Sequence, residues 1–289
     1  MDSTKLANKL SERSKTNFYN VYSEFDWPDS LPKNEFWLTP SLMTLYNTEY
    51  YDKASIGQRY HLSQLETINL FSIFAHGESD LLRTILDNCF NDDLDEFKEY
   101  LIHFIDEENK HMWFFSEFCR RYDSGVLPSR KFKSLSKFPN DVERLLSFLR
   151  ILVFEEIGDY FNTNTFRNNG VNEFVKKIHE RHHLDEVGHI AIGWKISENL
   201  FLNLPNLTAD MLTEMEKYIE AYMQSSLQSL YNPDIYQRVG FDAPYNLRES
   251  LLKHPAREEM HSKILKRSRS RVRELWALYK KNNTERQFI

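Results

Sequence analysis

The sequence predicts an all-α protein with a four-helix core and additional flanking helices. Its 289 residues include 8 glycines and 9 prolines, too few for the turns that an all-β fold of this length requires. Long stretches of good helix formers carry apolar residues at helical spacing, as at Leu145, Phe148, Leu149 and Leu152. Because no change in composition marks a boundary, we expect one domain over residues 1–289, with its core bundle at about 55–200 and flanking helices at 1–54 and 201–289.

The helices are placed by their apolar periodicity and by the residues at their ends. The core helices are expected at residues 63–90, 93–122, 141–162 and 171–200. Ser63 and Glu66 have the spacing of a capping box, which favours a helix start at Ser63. Outside the core we expect helices at 5–15, 208–231 and 248–281, an aromatic connection at 25–40, and a loop between the last two helices.

Charge and cysteine content limit the classes of partner. The net charge of -6 does not favour binding to nucleic acid or to an anionic membrane, and the basic stretch at 263–274 is expected to be a solvated helix face. Cys89 and Cys119 are far apart and lack CxxC spacing, so no disulfide framework or thiolate metal site is expected. With neither a signal-peptide core nor a membrane span in the sequence, we expect a cytoplasmic protein.

The first two core helices carry ionisable side chains within their apolar stripes, where an unpaired charge is costly. Glu78 shares a face with Phe74 and Leu81 at spacings of four and three residues. On the second helix, Glu108 and His111 are three residues apart. These placements require a partner for each charge.

The other two core helices repeat this arrangement. Glu155 and Glu156 follow the apolar stripe of the third helix, and periodicity alone leaves both open. On the fourth helix, at 100° per residue, Glu186 lies about 40° from His182 and His189 lies about 20° from it on the other side. These three side chains therefore project from one narrow face.

The resulting pattern is Glu, Glu-x-x-His, Glu, Glu-x-x-His, with one part on each helix. It is the ligand set of four-helix proteins that bind a carboxylate-bridged pair of iron or manganese ions. Glu78 precedes Glu108 by 30 residues and Glu155 precedes Glu186 by 31, and Glu156 would give 30, so the two helix pairs resemble copies of one hairpin. Carboxylate oxygens can bridge two metal ions, and neutral imidazoles complete the sites without adding charge. The pattern predicts a two-metal site.

We expect the remaining acids and histidines near the motifs to lie outside the ligand set. Glu107 and Asp185 directly precede the two Glu-x-x-His motifs, and we expect them to hydrogen-bond to imidazoles on the neighbouring helix. His183 is turned about 100° from His182 and belongs to another face. We expect the following histidines to lie outside the ligand set: His76, His103, His179 and His183.

His182 adds a third imidazole to a set that has two in generic ferritin-like sites. The motif His182-x-x-x-Glu186-x-x-His189, preceded by Glu155, resembles the p-aminobenzoate N-oxygenase (AurF) family of di-iron enzymes. The resemblance extends over about residues 55–200 and favours Glu155 over Glu156. It implies seven metal ligands: Glu78, Glu108, His111, Glu155, His182, Glu186 and His189.

The resemblance also implies a fold, a cofactor and an activity. It implies a ferritin-like bundle that holds two iron ions, for which manganese is an alternative. It implies a non-haem, dioxygen-dependent monooxygenase of biosynthesis that oxidises an arylamine-type amine to a hydroxylamine, nitroso or nitro product through a peroxo-diferric intermediate. The implied partners are dioxygen, a small-molecule amine and an external electron donor, and a homodimer is compatible with the sequence.

Other functions of a di-iron protein would be expected to show different sequence features. A hydroxylase or desaturase acting at carbon of a small or carrier-bound substrate is the main alternative, and it would be expected to have six ligands without His182. A ferritin-like iron-handling protein would be expected to have a shorter single bundle. The basic stretch at 263–274 is the only feature that favours a nucleic-acid substrate.

Overall fold

The computed structural model describes residues 2–129, 131–205 and 207–286, with side chains described as far as residue 282. Helices dominate these ranges, where the β structure is a single isolated bridge between Phe36 and Val171. The prediction of an all-α fold is therefore confirmed. In chain order the α-helices are α1 (Ser3–Thr16), α2 (Glu49–Lys53), α3 (Ile56–Leu86), α4 (Lys98–Tyr122), α5 (Asn140–Phe166), α6 (Glu173–Asn203), α7 (Ala209–Gln228), α8 (Pro233–Val239), α9 (Pro244–Leu252), α10 (Pro255–Ile264) and α11 (Lys266–Arg286).

The core consists of two helix pairs, α3 with α4 and α5 with α6. A 3₁₀ helix at Asp92–Phe97 joins the first pair, and the long segment 123–139 leads from α4 to α5. Contacts between α3 and α5 and between α4 and α6 bring the pairs together. Around them, α1 packs on α4 and α6, α7 packs on α5, and α11 packs on α5 and α6. The interior of the bundle is therefore covered by flanking helices on several sides.

The first core helix begins earlier than predicted. Ser55 is its N-cap, because the backbone N–H of Gln58 donates to Oγ of Ser55 and the N–H of Ser55 donates to Oε1 of Gln58. Ser63 lies two turns inside α3, where its hydroxyl donates to the carbonyl oxygen of Tyr60 at 2.8 Å. The capping box predicted at Ser63 is wrong, since two positions in this chain have the same spacing and only the tertiary contacts distinguish them.

The C-terminal part also differs from the prediction. Where one helix was expected at 248–281, the structure has α9, α10 and α11. Pro255 lacks an N–H and disfavours a helical conformation at His254, which is extended at φ -77° and ψ 130°. The predicted loop before α9 contains α8, which Asn232 caps by accepting from the N–H of Asp234.

None of the helices in the described ranges has the length and apolar character needed to cross a membrane.

Candidate metal centre

Seven ionisable side chains from the four core helices meet in the interior of the bundle. Glu78 comes from α3, Glu108 and His111 from α4, Glu155 from α5, and the remaining three from α6. Each is at most 1% exposed to solvent. The seven residues are Glu78, Glu108, His111, Glu155, His182, Glu186 and His189. The helical faces that the sequence pattern identified are therefore directed at one another.

Two carboxylates occupy the centre of this cluster. Glu108 lies between two imidazoles, with Oε1 at 2.6 Å from Nδ1 of His189 and Oε2 at 3.1 Å from Nδ1 of His111. Glu186 contacts all three imidazoles, with Oε1 at 2.9 Å from Nε2 of His182 and 3.2 Å from Nδ1 of His111. Its Oε2 lies 3.4 Å from Nδ1 of His189. This arrangement is suited to carboxylates that bridge two metal ions.

Glu78 on α3 and Glu155 on α5 complete the cluster. Together with Glu108 they present oxygens within 4.8 Å of one another, and Glu155 also groups with His182 and Glu186. Oε1 of Glu78 lies 3.5 Å from Nε2 of His182. The donor atoms thus form overlapping groups rather than one closed shell, as two adjacent metal ions require.

Although several of these donor atoms lie close to one another, many have no partner with hydrogen-bond geometry within the described part of the chain. They include both carboxylate oxygens of Glu78, Glu155 and Glu186. Nε2 of His182 and Nδ1 of His189 are also without one. Buried polar atoms without partners are costly, and a metal ion would supply the missing partner. The donor set therefore fits a metal pair.

The electrostatics of the cluster favour cations. Burial, followed by the nearby carboxylate of Glu108, raises the pKa of Glu78 well above its ordinary value. Burial, followed by the carboxylate of Glu186, has the same effect on the pKa of Glu155. Four carboxylates in one buried space would repel one another, and two divalent ions would balance their charge.

The two Glu-x-x-His imidazoles are held by acids on the opposite helix. Nε2 of His111 donates to Oδ2 of Asp185 at 3.1 Å, and Nε2 of His189 donates to Oε2 of Glu107 at 2.7 Å. Asp185 also accepts from the hydroxyl of Tyr19 at 3.2 Å. With a proton on each Nε2, both rings present the lone pair of Nδ1 to the cluster.

His182 has a different support, which the sequence analysis did not identify. The side-chain amide of Asn162 lies 2.7 Å from Nδ1 of His182 and 2.8 Å from Nδ1 of His179. His179 is fully buried, and burial lowers its pKa to about 3, so its ring is neutral. Asn162 follows Glu155 by seven residues, two helical turns, and this spacing was the available signal for a role near the site.

The other candidates lie away from the cluster. Glu156 accepts from Nε1 of Trp194 at 3.0 Å and contacts Nε of Arg267 at 3.2 Å, on the side of α5 that faces α6 and α11. His183 on α6 pairs with Asp159 on α5. His76 is exposed, with Nε2 3.0 Å from the carbonyl oxygen of Leu127.

Aromatic rings enclose the imidazoles. Phe104 stacks on His189 with a centroid separation of 3.9 Å. Phe115 and Phe74 lie 4.8 and 5.3 Å from the ring of His182. All three phenylalanines are at most 3% exposed, so this side of the cluster is shielded from water.

The fold is similar to solved structures of R2-like ligand-binding oxidases. One, with an aerobically reconstituted Mn/Fe cofactor, is 13% identical with a TM-score of 0.53, and the alignment covers 93% of this chain and 91% of that chain. Another, of a variant with the same type of cofactor, is 14% identical with a TM-score of 0.51 and coverages of 94% and 92%. At this identity the likeness shows the fold, a ferritin-like bundle with flanking helices.

The sequence itself matches a family model. No curated protein matches the chain. The model of the family described as P-aminobenzoate N-oxygenase AurF matches residues 1–275, which includes all four core helices and the flanking segments as far as α11. This chain therefore belongs to the AurF family, and it is an oxidoreductase of the di-iron oxygenase type with a pair of metal ions as its cofactor.

Proposed function

We propose that this protein is an N-oxygenase that oxidises an amine of the arylamine type to a hydroxylamine, nitroso or nitro product. The observation that carries the proposal is the third imidazole, since Nε2 of His182 reaches the cluster at 2.9 Å from Oε1 of Glu186. Membership of the AurF family, which is described as P-aminobenzoate N-oxygenase, supports the same activity, since p-aminobenzoate is an arylamine.

We further propose that all seven residues of the cluster are metal ligands. The four carboxylates would match the charge of two divalent ions, and Glu108 and Glu186 lie between imidazoles that would hold them. When bound, the metal pair supplies activation of dioxygen and transfer of one oxygen atom to the amine nitrogen. Dioxygen and an external electron donor are the co-reactants.

Each imidazole has to hold its proton on the nitrogen that faces away from the metals. For His111 and His189 this is Nε2, which donates to Asp185 and Glu107. For His182 it is Nδ1, which lies 2.7 Å from Nδ2 of Asn162; a 180° turn of this amide would place its oxygen there to accept from Nδ1. His182 thus remains a neutral ligand with a neutral partner, whereas the other two imidazoles have anionic partners.

The third imidazole suits oxidation at nitrogen. A third imidazole adds electron density to the metal pair without adding charge, and the hypothesis is that this favours an oxidant that reacts with an amine lone pair over one that attacks C–H bonds. The phenylalanines around His182 exclude water from the reacting region.

Both iron and manganese suit this ligand set. The R2-like ligand-binding oxidases with a similar fold hold a Mn/Fe cofactor. We propose two iron ions for this chain, with manganese as an alternative occupant of one or both positions.

The test is to load the protein with ferrous iron without oxygen, add a panel of arylamines and aliphatic amines, and expose it to ¹⁸O₂. We expect mass detection to show ¹⁸O on the nitrogen of at least one arylamine. Labelled product hydroxylated at carbon would support the alternative, a di-iron hydroxylase. Oxygen consumption without a labelled amine would contradict N-oxygenation and leave the metal-site proposal standing.

A further inference from the structure

A cavity lies beside the cluster, between α3, α5 and α7. Its volume is about 440 Å³. This is within the range of small-molecule sites, and about 150 Å³ is already enough for benzene. The cavity is therefore too large for a single-ring amine to fill. Its lining includes Gly77, Leu81, Ser147, Arg150, Phe154 and Tyr222.

The inner wall of the cavity is formed by the helical turns that carry two of the cluster carboxylates. Leu81 lies one turn after Glu78 on α3, and Ile151 lies one turn before Glu155 on α5. The cavity and the cluster are thus neighbours that share the walls of α3 and α5.

Phe154 lies at the end of the cavity nearest the imidazoles. Its ring lies over Gly77, where a Cβ atom would be 2.0 Å from Cζ of Phe154. The same ring meets Phe74 edge to face at 6.0 Å, and Phe74 in turn lies 5.3 Å from the ring of His182. A ligand in the cavity therefore faces Phe154 at the end nearest the cluster.

The polar part of the cavity carries an arginine without an acidic partner. Nη1 of Arg150 donates to the hydroxyl of Tyr218 at 2.8 Å, and Nη2 donates to Oγ of Ser147 at 3.0 Å. Among the described side chains Arg150 forms no ion pair, whereas Arg83 at the rim pairs with Asp80. A half-buried guanidinium with only neutral partners has donors available for a carboxylate or a phosphate.

We propose that this cavity holds the non-reacting part of the substrate, an amine larger than one ring whose far end is anionic and binds Arg150, with Phe154 as the wall next to the metal centre. The inference rests on the proposed function, because it assigns the reacting amine to the cluster. It adds the size of the substrate, the charge of its far end and the two residues that select for them.

Binding can be measured without turnover, in iron-loaded protein kept free of oxygen. The probes are 4′-aminobiphenyl-4-carboxylate and its neutral analogue, the 4-carboxamide, titrated by calorimetry. We expect the carboxylate to bind more tightly, and Arg150→Gln to weaken its binding at least tenfold while leaving the carboxamide unchanged, because a charge-assisted hydrogen bond is lost. The matched control is Arg144→Gln on the same helix, where the guanidinium pairs with Asp93 outside the cavity.

A phosphate at the far end would use the same guanidinium, so 4′-aminobiphenyl-4-phosphonate is the third probe. Tighter binding of the phosphonate than of the carboxylate would assign the natural anion as a phosphate. Failure of all three probes to bind the wild-type protein, or an equal effect of Arg150→Gln on charged and neutral probes, would overturn the proposal.

The wall is tested with Gly77→Ala, whose added Cβ atom would displace the Phe154 ring. We expect about tenfold weaker binding of the biphenyl carboxylate, and recovery in the double variant Gly77→Ala/Phe154→Ala. Melting temperatures of the same proteins identify a variant that has merely failed to fold. Unchanged binding in Gly77→Ala, or no recovery in the double variant, would remove Phe154 from the proposal.

The two proposals can fail separately. If the probes bind in an Arg150-dependent way and no amine is oxygenated, the N-oxygenase function is wrong and the cavity assignment stands. If small arylamines are oxygenated at nitrogen with the same kcat/KM in wild type and in Arg150→Gln, and the probes do not bind, the function stands and the cavity assignment is wrong.

Discussion

Nε2 of His189 on α6 donates a 2.7 Å hydrogen bond to Oε2 of Glu107 on α4. The reverse contact links His111 on α4 to Asp185 on α6. Each Glu-x-x-His helix thus supplies an imidazole to the cluster. The residue just before each motif is an acid, and it orients the imidazole of the other helix. The crossed arrangement sets the tautomer of both rings and couples the two helices through the site.

We expect Glu107→Gln and Asp185→Asn each to weaken metal binding by about 10- to 100-fold, because the proton on Nε2 loses an anionic partner. Titration of the metal-free protein with ferrous iron under anaerobic conditions measures this change. The control is Glu180→Gln, at an exposed position on α6, which should bind metal as the wild type does. Wild-type affinity in both variants would mean that the crossed contacts do not position the ligands.

The role of His182 can be separated from general metal binding. We expect His182→Ala to retain two metal ions per chain, since four carboxylates and two imidazoles remain, and to lose most N-oxygenation. Metal analysis and labelled-product yield give the two readouts. An unchanged yield of N-oxygenated product in His182→Ala would contradict the role assigned to the third imidazole.

Asn162 should act through His182. Asn162→Asp keeps an oxygen that can accept from Nδ1 of His182, whereas Asn162→Leu leaves both neighbouring imidazoles without this partner. We expect the Leu variant to resemble His182→Ala. We expect the Asp variant to keep His182 in place and to shift the spectrum of the metal-loaded protein differently, because an anionic partner replaces a neutral one. Equal spectra in the Asp and Leu variants would show that Asn162 only fills space.

A buried acid outside the cluster should make stability depend on pH. Glu66 on α3 accepts from the backbone N–H of Thr44 at 3.1 Å, and burial raises its pKa to about 7 even though these hydrogen bonds lower it. The folded state therefore holds a proton that the unfolded state loses above about pH 4.5. The contribution of Glu66 to the free energy of unfolding is fully present below about pH 4.5. It falls by about 3 kcal/mol as the pH rises from there through 7.

We expect Glu66→Gln to remove this part of the pH dependence. Urea unfolding of the metal-loaded protein between pH 5 and pH 8 gives the free energy of unfolding for both proteins. The difference between variant and wild type should grow with pH in favour of the variant. A constant difference over this range would place the pKa of Glu66 near its ordinary value.

Gly188, directly before His189, marks a close approach of α6 to α4. A Cβ atom there would lie 2.5 Å from the hydroxyl oxygen of Tyr100. We expect Gly188→Ala to cost about 1–3 kcal/mol of stability and Tyr100→Phe in the same chain to recover part of it. The control is Gly57→Ala on α3, where the nearest atom is 4.0 Å away, so a small gain of up to about 1 kcal/mol is expected.

The sequence alone was sufficient for the fold class and for the residues that point into the bundle. Helical geometry determines that His182, Glu186 and His189 share one face, whatever that face packs against. The same periodicity left Glu155 and Glu156 open, because adjacent residues lie on neighbouring faces and both flank the apolar stripe. The family resemblance favoured Glu155, and in the structure Glu155 reaches the cluster while Glu156 contacts Trp194.

The tertiary structure decided what depends on contacts between helices. The contact of His182 with Asn162 and the cavity beside Phe154 bring together residues that are distant in sequence. The start of α3 at Ser55 uses a capping-box spacing that also occurs at Ser63. Local sequence sets the direction of a side chain on its own helix, and the relative positions of the helices set what that side chain meets. Six of the seven side chains could therefore be identified from helical periodicity, Glu155 from the family resemblance, and Glu107 and Asp185 from their positions before the motifs. The contact of His182 with Asn162 and the shape of the adjacent cavity required the folded chain.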